Sequence, residues 1–209
     1  MTNSFEKRAG LSLIIGALLM IITMTLHPVG GNIQQLLKIT TIAIVSHSIA
    51  IFSIPFSVFG FWGITRKLGT QNPMSMLGFF TACIGLGGAV IAAALNGLAL
   101  PFFVNRVAGS SEETLETASI IIKYGLSVNH AFDYIMIGGI CTSFLIWSLV
   151  IIKKNQFPKW IAYLGLLLGL GFLALLFSGF VLVDLAGFRF FIFGIVIWIL
   201  AAGIMLQKN

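Results

Sequence analysis

Three histidines and a few other polar groups interrupt an otherwise apolar chain: His27, His47 and His130, with Asn129 and Asp133 beside the last, and Asn96, Asp184 and Arg189 elsewhere. In SVNHAFD, residues 127–133, His130 and Asp133 are spaced i, i+3, which puts imidazole and carboxylate on one helix face. Imidazole plus carboxylate is a common ligand set for zinc or another divalent metal, and His47 and His27 could complete it. The alternative is structural: Asp133 fixes the tautomer or charge of a nearby histidine within a hydrogen-bonded bundle. Paired histidines on facing helices, here His47 and His130, are also the arrangement that ligates haem. Ser46 and Ser48 flank His47 on other faces of a helix, so no serine nucleophile is expected, and hydrolysis would need a metal-activated water. Asp184 and Arg189 bracket a short turn, either as solvated charges at helix ends or as an ion pair gating a mouth.

The elements that carry these groups must be membrane helices. The 209 residues are 58% hydrophobic and only 9% charged, with a mean hydropathy of +1.06, far outside the range of a soluble domain. At ~20 apolar residues per crossing there is room for about six spans. They are read at 9–26, 39–64, 75–100, 130–152, 161–183 and 188–206, as one transmembrane domain with no soluble domain attached. The first apolar run is too long for a signal-peptide core and leads into HPVGG without a small-x-small cleavage site, so it reads as a retained anchor.

Lys7, Arg8, Arg66, Lys67, Lys153, Lys154, Lys159 and Lys208 fall on one side of this arrangement, and Lys38, Arg106, Lys123 and Arg189 on the other. The positive-inside rule then places both termini in the cytoplasm. The net charge of +6 is thus a topology signal, and nucleic acid is not an expected partner. Trp62, Trp147 and Trp160 fall toward the inner ends of their spans, where amphipathic rings favour the headgroup layer.

Between the third and fourth spans, GSSEETLETASIIIKYG predicts a separate outer surface helix over about 111–124, with Ser110 and Glu113 as its capping box and Gly125 as its end. Its roles are to shield the rim of the bundle, or to act as a lid or partner surface. GNIQQLLK predicts a similar start for the second helix, capped by Asn32, with Pro55 a kink further along.

Three echoes run through the chain. VSHS (45–48) resembles VNHA (128–131), ITRKLGTQNP resembles IIKKNQFP, and LNGLALPFF (95–103) resembles VDLAGFRFF (183–191). They suggest a parallel repeat of spans two and three by spans four and five, about an axis along the membrane normal, which would bring His47 toward His130 and Asn96 toward Asp184. Gly85, Gly88, Gly138, Gly139, Gly165 and Gly169 read as close-packing positions between helices. Cys83 and Cys141 read as packing residues.

The stretch KKNQFPKWIAYLGLLLGL resembles the basic loop, Pro-Lys/Arg-Trp and Gly-rich helix entry of a group of small six-to-seven-span bacterial membrane proteins with no established activity. That resemblance implies a bacterial inner-membrane location. The Ser and HxxxH pattern of the seven-span zinc hydrolases of the ceramidase and progestin-receptor type does not occur in this chain.

The expected architecture is therefore an all-α, polytopic membrane helix bundle of six transmembrane helices, N-in and C-in. Its outer half would hold a polar pocket lined by His47, His130, Asp133, Asn96, Asn129 and His27, because ionisable groups in membrane helices face a bundle interior or a wet cavity. The pocket would bind or transport a small molecule or ion from outside; the spans' inner halves lack ionisable residues, which favours a neutral or lipid-like cargo. The alternatives are a metal- or haem-dependent membrane enzyme using the same residues, and a structural membrane subunit.

Overall fold

The computed structural model describes residues 2–208, and almost all of them are helical. The helices are α1 (Thr2–Leu26), α2 (Ile33–Leu68), α3 (Pro73–Ala94), α4 (Leu100–Val107), α5 (Glu112–Lys154), α6 (Lys159–Phe177) and α7 (Leu185–Lys208). A five-residue π turn, Leu95–Ala99, joins α3 to α4 without a break. Counting that joined pair once, six helices are long and apolar enough to cross a membrane.

Local chemistry explains most of the boundaries. The Asn32 side chain caps α2, accepting from the Gln35 N–H at 2.9 Å, and Gly69 ends the same helix at φ +98°. Asn72 caps α3 just before Pro73, a residue suited to the first helical turn. α6 stops well short of the expected residue 183. Its last turn closes in a Schellman arrangement, with Gly179 at φ +83°, Phe180 N–H donating to Leu175 O and Gly179 N–H to Leu176 O.

The separate surface helix does not form. α5 runs unbroken from Glu112 through Gly125 into the fourth span, because GLSVN holds no proline and Gly125 keeps φ below zero. The cap also sits one residue later than expected: the Ser111 hydroxyl, not Ser110, accepts from Thr114 N–H. Of the three echoes, the last has no structural counterpart, since 95–103 is a π turn running into helix whereas 183–191 is a turn followed by the start of α7. Pro55 lies inside an uninterrupted α2.

The termini, the turn at 69–72 and the turn at 155–158 share one end of the bundle, called here the termini end. Glu6 pairs there with Lys67 at 3.1 Å, and Lys154 donates to Leu68 O. α3 lies along α5, and α1 packs between α2 and α7. Glycine makes the first seam: a Cβ on Gly139 would lie 2.7 Å from Gly85 Cα. Gly165 and Gly169 let α6 approach α5 at Ser148 and Leu145, while Gly138 has nothing near its missing side chain. Small residues permit such backbone approach where burying apolar surface gains little over lipid.

The core of the termini half is aromatic. The Trp147 and Trp198 rings stack in parallel at 6.0 Å, with Phe61 against Trp147 and Phe144 against Trp198. Trp147 is fully buried and its indole N–H donates to Ser75 O at 3.2 Å. It is a core residue, not the headgroup anchor its position suggests; the backbone carbonyl supplies the partner that water would otherwise provide. Trp160 is half exposed, Trp62 partly buried, and of the two free cysteines Cys141 is buried.

Candidate functional site

Above the tryptophans the helices part. A cavity of about 430 Å³ opens at the end opposite the termini, between α1, α2, the joined α3 and α4, α5 and α7. His27, His47, Asn96, Asn129, His130 and Asp133 all line it, as does Asp184. The faces of α5 and α1 are graded. Along α5 the lining passes from Asn129 and Asp133 to Met136 and Ile140, and along α1 from His27 and Thr23 to Met20. α7 supplies Phe188, Ile192, Ile195 and Ile199, and α2 carries the wall from His47 down to Phe61. From Asn129 to Ile140 this face descends ~16 Å at the rise of an α-helix. The result is a polar mouth above an apolar shaft that ends at the aromatic core.

The polar groups are held in defined roles. Asn129 and Asp133, one turn apart on α5, are both buried, and Asn129 Nδ2 donates to Asp133 Oδ2 at 2.8 Å. That leaves Asn129 Oδ1 buried without a partner, and Thr23 Oγ1 is buried and unpartnered on the facing α1. Such groups are uncommon and costly, by about 1–3 kcal/mol each.

His47 is buried on α2 with Nδ1 2.8 Å from Ala43 O. A carbonyl can only accept, so Nδ1 carries the proton and Nε2 presents a lone pair. Gly97, in the π turn, lies so close to the imidazole that any side chain there would overlap the His47 ring. The extra residue of a π turn is a recurrent way of adjusting a helix at a site. Neither Thr23 nor Gly97 was marked by the sequence pattern; a threonine in a membrane helix and a glycine beside Asn96 are too ordinary to signal a site.

His27 stands just beyond the end of α1, its ring 4.7 Å from that of His47 and its Nδ1 3.1 Å from Pro28 O. Burial, then the neighbouring His47, push its pKa down to about 4, which favours the neutral ring.

Several expectations are corrected here. The four-ligand metal set of His27, His47, His130 and Asp133 is not assembled, and among the described residues no three His, Cys, Asp or Glu side chains are placed to hold a metal ion. His47 meets His27 instead, Asp133 is engaged by Asn129, and His130 is exposed on the rim. His47 and His130 line the same cavity from α2 and α5, His47 buried and His130 exposed at the rim. Ser46 does reach its neighbour, with Oγ 3.2 Å from His47 Nδ1. Its hydroxyl donates to Ala43 O, and the nitrogen it meets bears a proton, so no base activates it. Asp184 and Arg189 form no ion pair: Asp184 Oδ1 accepts the Gly187 N–H at 2.6 Å and caps α7, while Arg189 Nη2 donates to His27 O at 3.0 Å and ties α7 to α1.

Comparison with protein-family models, with curated proteins and with solved structures gives no match to this chain.

Proposed function

We propose that this chain is a bacterial inner-membrane protein, with both termini in the cytoplasm, that binds a small amphipathic molecule entering from the outer face. The observation that carries the reading is the graded cavity, which has polar groups at its mouth, an apolar shaft, and a closed aromatic floor. Ligand sites are concave, mostly apolar, and fixed in orientation by a few polar groups, and this cavity has that composition. The orientation is supported by the clustering of Arg66, Lys67, Lys153, Lys154 and Lys159 at the termini end. The Trp147–Trp198 stack makes binding or uptake from one side the simpler activity, since passage to the other face would require those rings to part.

A decyl chain bearing a terminal diazirine, photoactivated with the purified protein in lipid nanodiscs, tests this. Labelling is expected on shaft residues such as Met24, Met136 and Ile195, saturable with probe and abolished when Ala93→Trp fills the cavity. Labelling confined to lipid-facing residues such as Phe52, Ile84 and Leu167, with no saturation, would rule out the cavity as a ligand site.

A further inference from the structure

We propose that the ligand is a hydrophobic amine, its protonated nitrogen donating to Asn129 Oδ1 and the Asp133 carboxylate while its apolar body fills the shaft. This deepens the reading of the cavity as a ligand site and rests on it. An amphiphile arriving from a bilayer gains little by moving its tail into the shaft, because lipid is as apolar as leucine. Selectivity therefore falls on the head, and the geometry at the mouth decides what head it accepts.

The fixed groups are acceptors. Asp133 Oδ2 takes the Asn129 Nδ2 proton, which turns the Asn129 carbonyl away from the carboxylate and leaves it buried and unpartnered. His47 and His27 both donate through Nδ1 to backbone carbonyls, so both keep Nε2 as a lone pair. The groups free to play either part are the Thr23 hydroxyl, the Asn96 amide and His130. A head that brings several N–H donors satisfies the orphaned Asn129 oxygen and gives the buried carboxylate a counter-charge. A carboxylate or phosphate head would instead meet the lone pairs of these acceptors. Arg189 is not among the residues lining the cavity, and its Nη2 donates to His27 O at 3.0 Å.

The test uses the photoactivatable decyl probe on the wild-type protein in nanodiscs, with decylamine, decanol and decanoate as competitors at neutral pH and equal concentrations in the lipid phase. Decylamine is expected to displace the probe from the shaft at about tenfold lower concentration than the other two, the worth of one charge-assisted hydrogen bond. Asp133→Asn should erase that advantage while shaft labelling persists. If decanol or decanoate competes as well as decylamine, or if the probe labels the shaft and none of the three displaces it, the amine assignment is wrong and the ligand cavity stands. If the probe never labels the shaft, the cavity reading itself fails. The ranking is read on the wild-type chain, so it does not depend on the variant folding.

Discussion

At the scale of single residues, the site works by fixing which atoms are left over. Asn129 shows this most clearly, since its partner Asp133 dictates the orientation of the amide and so leaves its oxygen buried without a partner. His27 carries a pH consequence. Its pKa in the folded chain, about 4, lies below the usual 6.5, so on acidification the unfolded chain takes the proton first. This contribution to stability is intact above the unfolded value and is lost progressively as pH falls from about 6.5 toward 4. Thermal unfolding in detergent should show a lower midpoint at pH 5 than at pH 7, with a smaller difference in His27→Gln. An identical difference in the two proteins would show that His27 is not the group responsible. Sequence spacing singled out His27, His47, Asn96, Asn129, His130 and Asp133, because polar groups stand out against apolar helices. It could not tell which would pair, since the meeting of His27 with His47 depends on how α1 lies against α2 rather than on spacing within either.

Among the elements, α5 departs most from expectation. Its amphipathic first half looks like an independent surface helix, and Gly125 like its terminator, yet it reaches Lys154 without interruption. A glycine ends a helix when something makes a left-handed residue favourable there, as Gly179 does by closing the two bonds of its Schellman turn. Nothing comparable surrounds Gly125, which has open space where a Cβ would sit. Gly125→Ala should therefore stabilise the protein by about 0.5–1 kcal/mol, read from unfolding in detergent. Destabilisation would instead mean a left-handed break at that position. The six apolar helices were legible because their length and composition are set by hydropathy; their ends were legible where a cap was written locally, as at Asn32, and not where the choice was between continuing and stopping.

For the whole molecule, the cavity and the aromatic core divide the bundle into an open half and a closed one. The positive charges gather at the closed half, and the proposed orientation, with that end toward the cytoplasm, rests on the positive-inside rule. Single cysteines at Gln71 and Gly109, on a background with Cys83 and Cys141 replaced by alanine, check the orientation with a membrane-impermeant maleimide on intact cells. Labelling at 109 and protection at 71 are expected; the reverse pattern would place the cavity mouth on the inner side. The volume of the cavity was not legible in the sequence, because it arises from how five elements splay apart above Phe61, a property of no single segment.

The π turn at Leu95–Ala99 bears on how this chain tolerates changes in length. A π turn accommodates one residue more than the α-helical turn it replaces, so α3 and α4 are out of phase by about 100° relative to one continuous α-helix. Helical phase is thereby set separately on its two sides: α3 keeps the glycine seam that meets α5, while α4 keeps Pro101 and Val104 turned inward. Loss of one residue here would close the π turn to an α turn and leave the seam and the α4 wall each facing as before, whereas loss of one residue within α3 would turn everything beyond it by about 100°.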